Sequence, residues 1–118
     1  MTKKIMIIDD DQVIVDYLEK LFSDHGYLTC VARDGSLGID VMKREKPDLI
    51  TLDLEMPQEW GPGFFRRLSR EEAFKNTPVI VISGLSGIQY AIHKAVATLT
   101  KPFDKKELLA IVKDTLGE

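Results

Sequence analysis

The chain has 118 residues, 44% of them hydrophobic, which suits a single domain over 1–118 with one buried core. Its one cysteine, Cys30, excludes an internal disulfide, and the scattered basic residues and net charge of −3 argue against direct nucleic-acid binding. No N-terminal segment has a signal-peptide pattern and no apolar run approaches the roughly 20 residues of a bilayer span, so a reducing, cytoplasmic setting without a membrane partner is expected.

Strand and helix patterns alternate along the chain. Residues 4–8 read as a first strand. Val13, Ile14, Tyr17, Leu18, Leu21 and Phe22 then recur at helical spacing, and the helix is expected to stop at His25-Gly26, where glycine can take a left-handed cap. Residues 27–31 form a second strand, with Cys30 expected as a small buried residue in it. A helix over about 36–44 follows, with Leu37, Ile39, Val41 and Met42 as its apolar positions. Pro47 separates it from a third strand, 48–52. Gly61-Pro62 opens a third helix with Phe64, Phe65 and Leu68 on its buried face. Pro78 precedes an apolar strand, 79–82. A short helix over 86–95 and a fifth strand over 97–100 come next. The last helix, 104–116, buries Leu108, Leu109, Ile111 and Val112, with Asp104 as its N-cap.

Five strands alternating with five helices imply an α/β fold, a parallel sheet covered on both faces. Strands one, three and four are almost unbroken apolar runs, as buried parallel strands are, and the more polar second strand suits an edge. The expectation is a doubly wound, flavodoxin-like sheet in the order 2-1-3-4-5. Ligands of such sheets bind beyond the C-terminal strand ends at the switch point, here between strands one and three.

Four strands deliver polar residues to that rim: Asp9 and Asp10 after strand one, Asp53 after strand three, Ser83 after strand four and Lys101 after strand five. Two carboxylates about 5 Å apart repel by roughly 3 kcal/mol at an effective dielectric of about 20. Three acids together call for a cation, and magnesium suits an oxygen-only site that also accepts phosphate oxygens. A carboxylate can serve as the nucleophile of phosphoryl transfer, with the serine hydroxyl and the lysine ammonium on the phosphoryl oxygens. Plainer roles exist for each residue. Asp9, Asp10 and Asp11 can cap the first helix, Ser83 can be a turn residue, and Lys101 can be a solvated charge. The spacing of His25 and His93 does not suit a metal site.

The strings Ile7-Ile8-Asp9-Asp10-Asp11, Asp53-Leu54-Glu55-Met56-Pro57, Ser83-Gly84 and Thr100-Lys101-Pro102-Phe103-Asp104 resemble those of response-regulator receiver domains, across the whole chain. The resemblance implies that Asp53 accepts a phosphoryl group from a phosphohistidine on a sensor histidine kinase or phosphotransfer domain. It implies magnesium held by Asp9, Asp10, Asp53 and the backbone carbonyl of Glu55. It also implies that Ser83 and Lys101 bind the phosphoryl group and that the bond to Pro102 is cis. Such a domain is a phosphoacceptor rather than an enzyme with a separate substrate, although it catalyses its own phosphoryl transfer and loss.

The sequence departs from the family pattern at three places. Thr98 stands three residues before the lysine, where the family usually carries an aromatic switch. The 18 positions from Ser83 to Lys101 are fewer than the pattern has, so a shortened or reoriented fourth helix is expected. The loop after Asp53 contains Trp60, a candidate partner contact. Glu55 and Leu85 match the family's hydrolysis-tuning positions and point to a long-lived aspartyl-phosphate. The chain reads as a stand-alone regulator or a receiver cut from a longer protein, acting on a downstream protein or in a phosphorelay. The alternatives are a degenerate receiver that docks independently of phosphorylation, and a small magnesium-dependent phosphatase. The phosphatase lacks room for a substrate-gating cap.

Overall fold

The computed structural model describes residues 2–33, 35–54, 66–67, 70–72, 74–84 and 95–117. The elements are β1 (Lys4–Ile8), α1 (Gln12–Asp24), β2 (Leu28–Ala32), α2 (Gly35–Glu45), β3 (Leu49–Leu52), β4 (Val79–Ser83), β5 (Ala97–Thr100) and α3 (Lys105–Leu116). The strands form one parallel sheet in the order β2-β1-β3-β4-β5, so the expected doubly wound topology holds. The expected third and fourth helices, with Trp60 and His93, lie largely or wholly outside the described residues.

Alternation along the strands divides the core into two layers. Met6, Ile8, Ile50, Leu52, Val79 and Val81 pack with Ile39, Val41 and Met42 of α2 on one face. Ile5, Ile7, Leu49, Ile80 and Ile82 pack with Val15, Leu18 and Phe22 of α1 and Leu108 and Val112 of α3 on the other. Because both faces are covered, β1, β3 and β4 are apolar apart from Lys4 at the start of β1, the buried Thr51 in β3 and Ser83 at the end of β4.

The helix ends follow their sequences. The Asp11 side chain accepts from the backbone N–H of Val13 and caps α1, so the third acid of the run goes to the helix. The α1 C-terminus closes through Gly26 at φ 87°, a conformation open to glycine, and the Tyr27 N–H donates to Phe22 O at 3.0 Å. Asp104 caps α3, and Gly117 ends it at φ 76°.

Two helices bury only part of their apolar stripe. On α1 the buried residues are Val15, Leu18, Leu21 and Phe22, whereas Val13 is 74% and Tyr17 45% exposed. Leu37 on α2 is also exposed. Val15, Leu18 and Phe22 stand at i, i+3 and i+7 and face the sheet, while Val13 and Tyr17 form a neighbouring i, i+4 stripe turned toward Phe103. Tyr17 and Phe103 meet edge to face with ring centroids 5.9 Å apart. Cys30 is partly rather than fully buried in β2, and burial foremost pushes its thiol up to about 11.

Candidate functional site

Strand register sets the height of each polar residue at the rim. Ile8 pairs with Leu52, so Asp9 and Asp53 leave the sheet side by side. Their backbones are tied on the way out. The Asp53 N–H donates to Ile8 O at 2.9 Å, and the Asp9 N–H donates to Ala32 O at 3.3 Å. Ser83 is the last residue of β4 and pairs with Thr100 of β5, which places Lys101 directly beyond it. The Lys101 N–H donates to Ser83 O at 2.8 Å. The bond from Lys101 to Pro102 is cis, as the resemblance implied.

The side chains converge on Asp53, which is 4% exposed. The Ser83 hydroxyl, fully buried, donates to Asp53 Oδ1 at 3.1 Å. Lys101 Nζ lies 3.6 Å from Asp53 Oδ2 and donates to Asp9 Oδ2 at 2.9 Å. The other Asp9 oxygen accepts the Asp11 N–H at 2.9 Å. One carboxylate oxygen each from Asp9, Asp10 and Asp53 lies within 4.8 Å of the others. The structure thus brings together five of the expected site residues, Asp9, Asp10, Asp53, Ser83 and Lys101. Glu55 and Leu85 lie outside the described residues.

The electrostatics are unbalanced. Burial, foremost, pushes the Asp9 carboxyl above its ordinary value, and the nearby Asp53 charge adds to this; the bonds from Asp11 and Lys101 pull it back only in part. Burial also works against the charged form of Lys101. Its hydrogen bond to Asp9 and the charges of Asp9 and Asp53 outweigh that and hold the ammonium above its ordinary value. Among the described residues, three carboxylates and one ammonium form an all-oxygen donor set with excess negative charge, which fits a hard divalent cation.

Two features escaped the sequence reading. The Arg33 guanidinium, just past β2, donates from Nη2 to the backbone carbonyl of Asp10 at 3.1 Å. Nothing marks an exposed arginine in a sequence, except that Ile8 pairs with Ala32, so Arg33 must emerge level with Asp9. The second is an apolar hollow of about 230 Å³ beside Lys101, lined by Val13, Ile14, Tyr17, Pro102 and Phe103. Thr98 sits exposed on β5, in register with Val81.

A rim that combines clustered carboxylates with a hydroxyl and an ammonium, on a 2-1-3-4-5 sheet, defines a signalling receiver fold. The chain belongs to the response regulator receiver domain family, whose model matches residues 5–113. It is 34% identical over 117 residues to Protein Rrf1 of Nitratidesulfovibrio vulgaris, covering 99% of this chain and 85% of that one. It is 38% identical over 117 residues to the DNA-binding dual master transcriptional regulator RpaA of Synechocystis sp., covering 96% of this chain but only 48% of RpaA. Among solved structures, the receiver domain of a sensor histidine kinase from Pseudomonas aeruginosa PAO1, with a magnesium ion coordinated in its active site cleft, superposes with a TM-score of 0.89. That match is 23% identical and covers 100% of both chains. Receiver domains are signalling domains of two-component systems that accept phosphoryl groups, interact with histidine kinases or phosphotransfer proteins, and bind Mg2+ at an acidic pocket. Among the described residues no helix is long and apolar enough to cross a membrane.

Proposed function

We propose that this chain is one receiver domain over 1–118 whose Asp53 accepts a phosphoryl group from a phosphohistidine of a sensor kinase or phosphotransfer protein in the cytoplasm. The observation that carries this reading is the placement of Asp53, buried beside Asp9, with Ser83 on one carboxylate oxygen and Lys101 near the other. In the transfer step an Asp53 oxygen attacks phosphorus, the P–N bond breaks, and its electron pair stays on the departing imidazole nitrogen. The product is a mixed anhydride on Asp53. The Ser83 hydroxyl, already aimed at this carboxylate, turns to a phosphoryl oxygen. The Lys101 ammonium leaves Asp9 for the phosphoryl group, exchanging one anionic partner for another.

Asp9, Asp10, Asp53 and the Glu55 carbonyl would hold the magnesium ion, which when bound offsets the charge gathered on carboxylate and phosphoryl oxygens. Output passes to a downstream protein or along a phosphorelay, and not by direct contact of this domain with nucleic acid. Thr98 cannot fill and vacate an aromatic pocket, so the readout does not use the family's usual aromatic switch.

The test is intact mass after incubation with magnesium and a small-molecule phosphodonor. The native chain gains one phosphoryl group and Asp53→Asn gains none. No gain in either, with magnesium binding also absent, would leave the phosphorylation-independent docking module as the better reading.

A further inference from the structure

We propose that Arg33 is a positioning residue for the cation site, acting through the backbone of Asp10. The inference deepens the magnesium reading above and rests on it. Asp9 is fixed through its own carboxylate, one oxygen accepting from the Asp11 N–H and the other from Lys101. Asp10, half-buried, is anchored differently. Its carbonyl lies just before α1, whose ladder begins one residue later with the Val15 N–H donating to Asp11 O at 3.0 Å. The Asp10 carbonyl lies outside that ladder, and Arg33 Nη2 donates to it at 3.1 Å at the protein surface. The guanidinium reaches it because the β1–β2 register brings the two chain segments out together, an exit also pinned by the bond from Asp9 N–H to Ala32 O. Arg33 thus clamps the turn that carries Asp10 toward Asp9 and Asp53. Partners of this kind orient ligands that they never replace.

The sign of the effect separates this role from simple electrostatics. A guanidinium near a cation site repels the cation, so removing its charge alone tightens magnesium binding. Removing a clamp loosens it. Magnesium chloride is titrated into the unphosphorylated full chain and followed by calorimetry and by the amide resonances of Asp10 and Asp53. Arg33→Ala, which loses both charge and donor, is expected to bind magnesium about tenfold more weakly. Arg33→Lys, which keeps the charge and a donor of nearly the same reach, is expected to bind almost as tightly as the native chain. Resonances of α3, remote from the turn, report that each variant is folded. Equal or tighter binding by Arg33→Ala overturns the proposal, as does equally weak binding by both variants. A native chain that binds no magnesium overturns this proposal and the magnesium reading together.

Discussion

Lys101 and Asp9 lie 92 positions apart in the chain, yet the lysine Nζ donates to the aspartate at 2.9 Å. The same ammonium stands 3.6 Å from Asp53. One mobile-ended side chain therefore holds two buried carboxylates in place before any phosphoryl group arrives. It can exchange either for a phosphoryl oxygen without leaving the rim. The pair does not measure stability by itself, because desolvation offsets much of its attraction. Breaking it strands charge.

Lys101→Ala is accordingly expected to destabilise the fold by about 2 kcal/mol in the absence of divalent cations, since the buried acids lose their counter-charge. Magnesium should recover part of that loss by supplying charge from another direction. Urea denaturation with and without magnesium chloride checks both halves. An unchanged midpoint in metal-free buffer would contradict the expectation.

The raised pKa of Asp9 has a direct consequence for acid stability. In the window between its ordinary value of 3.8 and its folded value, the native state holds a proton that the unfolded chain has released. Stability from this residue is thus fully present below the unfolded value and is lost as pH rises through the folded one. Metal-free unfolding curves taken across that window should show Asp9→Asn with a flatter or more upward slope with pH than the native chain. Identical slopes would mean that Asp9 is not the group responsible.

Ser83→Ala removes the hydroxyl that donates to Asp53 Oδ1. The expected cost is about 1 kcal/mol of stability, from the loss of one buried hydrogen bond. Phosphoryl acceptance from a small-molecule donor should slow by about tenfold, through loss of a donor to the developing charge. Ser83→Thr keeps the hydroxyl and should retain most of the rate. Phosphorylation time courses by intact mass distinguish the two.

The α1 face gives a test of packing that is independent of the site. Val15→Ala should cost about 2 kcal/mol, because its side chain is buried against the sheet. Val13→Ala should change stability by no more than about 0.5 kcal/mol, because Val13 is exposed. Paired denaturation midpoints decide between this face and the other rotation that the hydrophobic pattern allows.

Much of this architecture could be read from the chain. Strands buried on both sides are continuous apolar runs, so β1, β3 and β4 stood out, and each runs directly into the polar residues that meet at the rim. The run Asp9-Asp10-Asp11 was harder. Composition cannot divide three adjacent acids between a cation site and a helix cap, and only the geometry gives Asp11 to the cap. The pattern left the α1 face open, because a broad apolar stripe fits two helix rotations equally well; Val13 and Tyr17 border an exposed hollow, not the core. Arg33 had no visible signal because its role depends on strand register, which a sequence leaves implicit.

The reach from Asp9 to Lys101 also bears on synthesis. The acids of β1 and β3 leave the ribosome well before β5, so a growing chain carries the three carboxylates for a time without the ammonium that holds two of them. Contacts of such long sequence separation form late in folding as well. The rim is therefore completed only once β5 has emerged and paired with β4.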